Sequence, residues 1–165
     1  WYDIKAMDID RVVDTDQLVA SSDAVAKLVD REIERGVKSE NIVIAGFSQG
    51  GAVAYELGLS YPKRLAGIIA LSTYFATAKT VKRSEANRDI PIRIYHGTFD
   101  PMVPEALGRK SCRKWGLNPR TRPIRWNTAC AWKRSWISAS SFAIRCCKAR
   151  LPFDGRSLSR AGCLA

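Results

Sequence analysis

Histidine is nearly missing from this chain: one residue in 165, His96. Any chemistry that needs a histidine base therefore has a single candidate. Acidic residues are nearly missing from the last third, where Asp154 stands alone after residue 107. No apolar run reaches the ~18 residues of a membrane-spanning helix. The five cysteines (Cys112, Cys130, Cys146, Cys147, Cys163) follow neither a metal-ligand spacing nor a secreted disulfide pattern. The chain opens Trp1-Tyr2-Asp3, without an initiator Met, a basic n-region or an apolar h-region. No signal peptide is visible at this start, and a cytoplasmic location is the expectation.

What is present splits in two. The length suits one domain, and 46% hydrophobic content permits a packed core. The net charge of +11 suggests a polyanion partner, but it is unevenly placed. Residues 1–107 hold 13 Lys and Arg against 15 Asp and Glu. Residues 108–165 hold 14 Lys and Arg against one acid, together with all five cysteines and four of the five tryptophans. Two kinds of sequence meet near residue 107, so we divide the chain into 1–107 and an aberrant basic tail, 108–165.

The first part alternates helix and strand. From Asp16 to Val37, the spacing of Leu18, Val19, Val25, Leu28, Val29 and Ile33 predicts one apolar helix face. Asp14 or Asp16 caps its start, and Gly36 takes the left-handed position after its end. Asn41–Ala45, Gly67–Leu71 and Ile90–Tyr95 read as strands buried on both faces, with Pro91 tolerable only at the start of the third. Gln49–Tyr61 reads as a small-residue helix stopped by Pro62. This order predicts an α/β fold with a parallel sheet.

Ligands on such sheets gather at the C-terminal strand ends. One end runs into Gly46-Phe47-Ser48-Gln49-Gly50-Gly51, a G-x-S-x-G turn between strand and helix. A serine at such a turn is strained and projects from the top of the sheet, while Gly46 and Gly50 avoid Cβ clashes. The Gln49 N–H then lies at a helix N-terminus suited to an oxyanion. The plainer alternative is a glycine turn that only packs the helix close. A phosphate-binding loop is excluded, since no Lys-Ser/Thr follows the glycines.

A serine hydroxyl needs a base, held by a carboxylate, in the chain order Ser, Asp, His. Asp100, after the third strand, fits the second place; the alternative is a turn-forming Asp before Pro101. The third place is empty. His96 precedes Asp100, which breaks the order, and a structural role is expected for it.

The stretches Ile44-Ala-Gly-Phe-Ser-Gln-Gly-Gly-Ala52, Leu71-Ser-Thr-Tyr74 and His96-Gly-Thr-Phe-Asp-Pro-Met-Val-Pro104 closely resemble the acyl-protein thioesterase/type II carboxylesterase family. The resemblance covers about residues 1–110. It implies an α/β-hydrolase fold with Ser48 as nucleophile, Asp100 as triad acid and the Gln49 N–H as one oxyanion donor. It also implies carboxylic ester, lysophospholipid or acyl-thioester substrates, with no metal or organic cofactor. The oligomer is left open, a homodimer being one option.

Two departures accompany the same resemblance. Members begin with further strands and a loop giving the second oxyanion donor, which are missing before Trp1. One sheet edge is therefore expected to lack neighbours. Members also end on Tyr-Pro-Met-x-His, a spacer and Glu-Glu-Ile, and this chain shows no such histidine. Reverse translation of Trp126–Ile137, read one nucleotide earlier, gives a reason. The invariant Trp codon followed by Asn, Lys or Ile compels Glu, Glu and Asp, and the permitted string is Met-Glu-His-Gly-Val-Arg-Met-Glu-Glu-Ile-Leu-Asp-Ile. The tail therefore reads as out of frame, entered between about Gly108 and Arg120. Residues 108–165 show no sustained helical or strand period, and Pro119, Pro123 and Pro152 interrupt them.

The expectation is an ester or thioester hydrolase by descent, impaired for want of the histidine and the N-terminal oxyanion loop. One alternative is a non-catalytic scaffold whose Arg-rich, Trp-containing tail binds nucleic acid, a reading we rank well behind. Another is a neighbouring hydrolase of dienelactone-hydrolase or peptidase type, against which Phe47-Ser48-Gln49 argues.

Overall fold

The structure is a computed structural model. It describes residues 13–97, Asp100, Val103, and the backbone of 120–124 and 142–146. The expected break near residue 107 lies outside the described residues.

Helix α1 spans Thr15–Glu34. Asp14 caps it, accepting the Gln17 N–H at 3.1 Å. At the other end Gly36 has φ 93°. The Gly36 N–H reaches the Ile33 carbonyl at 2.9 Å and the Val37 N–H reaches Glu32 at 3.1 Å. That pair of bonds is the Schellman closure, and it needs the left-handed residue that glycine supplies. The inward stripe is Leu18, Ser22 and Val29, flanked by Val25 and Ile33. Val19 and Leu28, expected on that face, are 38% and 46% exposed. They lie too far round the helix, at spacings that leave the stripe, while Ser22 sits on it.

Strand β1 is Ile42–Phe47, helix α2 Gln49–Ser60, β2 Gly67–Leu71 and β3 Ile92–Gly97. The three strands are parallel, with Phe47, Leu71 and Tyr95 abreast. Helix α2 packs on β1 and β2, and α1 packs on α2. This explains why α2 is buried nearly all round, from Gly50 to Leu59. The core between α2 and the sheet holds Ile42, Ile44, Tyr55, Leu57, Ile68, Phe75 and Ile94, with the Tyr55 and Phe75 rings stacked at 5.0 Å. Pro91 precedes β3 and offers only its carbonyl, which accepts the Ile68 N–H at 2.9 Å.

Two polar ties brace this layer. The fully buried Asn87 donates to the Tyr61 and Lys63 carbonyls at 2.8 and 2.9 Å and accepts the Leu65 N–H at 2.9 Å. It thereby satisfies the backbone of the α2–β2 loop, whose groups would each cost ~1–3 kcal/mol if left unpaired. The Tyr61 hydroxyl donates to Asp30 on α1 at 2.5 Å. Burial and that carboxylate both push the phenol's pKa up. Glu56 is buried within α2, and burial pushes its carboxyl up; the Thr77 hydroxyl opposes this and Asp23 adds to it.

Two expectations about the rest of the sheet are corrected. Among the described residues two further strands, Arg120–Ile124 (β4) and Phe142–Cys146 (β5), give a five-stranded sheet in the order β4-β3-β2-β1-β5. Strand β4 runs parallel to β3, and β5 runs antiparallel to β1. The segment beyond residue 107 thus supplies two strands where no period was legible. The sheet edge expected to lack neighbours is filled at β1, where β5 pairs with Ile42 to Gly46. The reason is that ladder hydrogen bonds join backbone to backbone, so a segment without side-chain patterning can still fill an open edge. Pro123 in β4 fits an edge position, where no ladder N–H is demanded of it.

Candidate active site

Strand β1 delivers Ser48 directly into the first turn of α2. Ser48 has φ 51° and ψ −119°, outside every region comfortable for a residue with a side chain. Such a conformation costs ~1–3 kcal/mol and persists only where its surroundings fix it. They do so here. The Ser48 N–H donates to the Leu71 carbonyl at 3.0 Å, and its carbonyl accepts the Gly51 N–H at 3.0 Å and the Thr73 hydroxyl at 2.6 Å. The Ser48 side chain makes no capping bond to α2, which leaves Oγ out of the helix's own hydrogen bonding.

Gly46 meets the expectation, and a further demand for glycine appears at Gly51. A Cβ on Gly46 would fall on the Gly50 carbonyl and crowd the Gly51 nitrogen, so Gly46 is where the strand and helix backbones close on each other. The second demand is at Gly51, where a Cβ would lie 2.5–2.7 Å from the Thr73 side chain. The backbone of Gln49, the expected oxyanion donor, opens α2. Its N–H lies in the first turn of that helix, at the positive end of the helix dipole.

Asp100 and His96 gather at the end of β3, two strands from Ser48. Asp100 is 9% exposed. Its Oδ1 accepts the Val103 N–H at 3.0 Å, and its own N–H reaches the Gly97 carbonyl at 3.3 Å. His96 is fully buried. Its Nε2 lies 2.6 Å from the Val103 carbonyl. A carbonyl only accepts, so Nε2 is the donor in this bond. Nδ1 is buried with no hydrogen-bond partner among the described residues. The same Nε2 is 3.9 Å from Asp100 Oδ2, beyond hydrogen-bond reach. His96 and Asp100 thus both bond to Val103. Among the described residues no three metal-ligating side chains cluster.

Sequence reasoning gives Ser72 and Thr73 no role of their own. Ser72, just past β2, has φ 45° and is buried. The string Leu71-Ser-Thr-Tyr74 carries no local signal for that conformation, since neither glycine nor asparagine marks it.

The phospholipase/carboxylesterase family profile matches residues 1–115. The chain belongs to this family. An acyl-protein thioesterase 1 of Gibberella zeae is 38% identical over 120 residues, covering 67% of this chain and 51% of that protein. The Saccharomyces cerevisiae acyl-protein thioesterase 1 is 36% identical over 114 residues, covering 67% and 50%. The chain thus spans about half the length of the curated relatives it matches. The crystal structure of Arabidopsis thaliana SOBER1 superposes with a TM-score of 0.67 at 26% identity, over 77% of this chain and 64% of that one. The family assignment and the α/β-hydrolase fold expected from the motifs therefore hold. No helix among the described residues is long and apolar enough to cross a membrane.

Proposed function

We propose that this chain carries the nucleophile half of a serine ester or thioester hydrolase, without its proton acceptor. The observation that carries the reading is Ser48, strained at φ 51° on the head of α2 with its hydroxyl uncommitted to the helix. In the full reaction such a serine attacks an acyl carbonyl and gives its proton to a histidine. The Gln49 N–H steadies the resulting oxyanion, an acyl-enzyme forms, and water releases the acid. Asp100, just past the end of β3, is the carboxylate assigned to hold that histidine. The relatives' name favours acyl thioesters; oxyesters and lysophospholipids share the same carbonyl chemistry.

The missing base fits the out-of-frame reading of the tail. Strand β4 runs parallel to β3, so its last residue, Ile124, pairs with Gly97 at the end of the sheet where Ser48 and Asp100 stand. The shifted frame sets its histidine codon over Thr128, four residues past β4. The nucleotide sequence tests this: a shifted frame lacking the His-Gly and Glu-Glu pairs refutes it. We place the protein in the cytoplasm on the cysteine pattern alone, which matches no secreted framework.

The nucleophile assignment has its own test. A fluorophosphonate probe should tag the chain slowly, once per molecule, at Ser48, as read by intact mass and peptide mapping. Ser48→Ala should stay untagged. Tagging spread over other serines, or equal in the variant, would remove Ser48 from the role.

A further inference from the structure

Ser48 is not the only strained serine at this end of the sheet. Ser72, on the neighbouring strand end, has φ 45° and is 1% exposed, and its hydroxyl has no hydrogen-bond partner among the described residues. Its N–H is fixed to the Tyr95 carbonyl of β3 at 2.9 Å. A residue held in that region without a hydrogen bond to its own side chain signals that the backbone bend itself is wanted. The bend delivers Thr73.

Thr73 Oγ1 donates to the Ser48 carbonyl at 2.6 Å. That carbonyl also accepts from Gly51 at 3.0 Å and, more loosely, from Ala52 at 3.4 Å, both within α2. Thr73 is the donor that comes from outside the helix. On the other side of Ser48, the N–H goes to Leu71. Both peptide groups of Ser48 are therefore anchored to the three-residue segment 71–73. Room for the anchor exists because residue 51 is glycine; any Cβ there would collide with Thr73.

We propose that Thr73 is a positioning residue for Ser48: its hydroxyl locks the Ser48 carbonyl and so fixes the direction of Oγ relative to the Gln49 N–H. The proposal rests on the reading of Ser48 as nucleophile, and it acts through the backbone alone. With the hydroxyl gone, the strained peptide is free to relax toward ordinary helix-start geometry, which turns Oγ toward its own helix N-terminus.

The test uses the full chain as wild type, Thr73→Val, Thr73→Ala and Thr73→Ser. One readout is amide hydrogen exchange at Gly51 and Ala52, which share the Ser48 carbonyl. The other is the rate at which a fluorophosphonate tags Ser48. Removing the hydroxyl should speed exchange and slow tagging, each roughly five- to tenfold, the scale of one net hydrogen bond. Thr73→Ser should return both to near wild type. Val and Ala differ in bulk, so a packing defect in one does not hide the result in the other. Unchanged exchange, or faster exchange with unchanged tagging, overturns the proposal. If wild-type Ser48 never reacts, the hydrolase reading falls, and exchange alone then decides whether Thr73 holds the turn.

Discussion

Gly46→Ala should cost the fold about 3 kcal/mol or more, the upper end of what overpacking does, and broaden or abolish cooperative unfolding. The added Cβ meets the Gly50 carbonyl and the Gly51 nitrogen, which are backbone atoms of the helix that crosses the strand end. No rotamer change relieves that contact. The strand and helix must separate, which uncovers Ile44, Ala54 and Tyr55 in the core behind them. Gly51→Ala meets the Thr73 side chain instead, at 2.5–2.7 Å against 2.1–2.6 Å at Gly46 and without helix backbone in the way, so its penalty should be smaller, although Thr73, its Cβ included, must shift. Urea unfolding followed by circular dichroism measures both. A Gly46→Ala chain as stable as wild type would mean that β1 and α2 do not close as described.

This ordering of the two glycines is hidden in the sequence for a physical reason. G-x-S-x-G fixes where a turn must be tight, but not which neighbour presses on it. Gly46 presses on its own helix, a local matter that the motif encodes. Gly51 answers to Thr73, 22 positions on, brought there by the parallel register of β1 and β2. The same limit explains Ser72. Its left-handed backbone is imposed by bonds to the neighbouring strand end, and tertiary constraint overrides the preference for glycine.

Other features are legible because their causes are local. Helix α1 starts at its Asp14 cap and ends at Gly36, and both ends act within a few residues. Its apolar face reads too wide, since an even mixture of three- and four-residue spacings cannot say which of Leu18 and Val19 faces inward. The strands β1 to β3 announce themselves as short β-branched runs, each shifted by no more than two residues from its expected bounds. Strands β4 and β5 do not. Phe142, Ile144 and Cys146 do alternate in β5, but three positions amid basic residues are too few to stand out. Arg120–Ile124 has no alternation at all; its pairing depends on β3 offering an edge.

The gravest consequence of the chain's composition concerns turnover. His96 is the one histidine, and its Nε2 is already committed to the Val103 carbonyl. To serve Ser48 it would have to leave a fully buried position, break that bond and cross the width of β2. A serine hydroxyl without a base loses most of its nucleophilic advantage. The decisive measurement is steady-state hydrolysis of p-nitrophenyl butyrate by the wild-type chain beside Ser48→Ala. The account predicts steady-state rates near the uncatalysed background for both, with at most one p-nitrophenol released per wild-type chain as Ser48 is acylated. Sustained turnover that vanishes in Ser48→Ala would contradict it, because a working proton acceptor would then have to exist within these 165 residues.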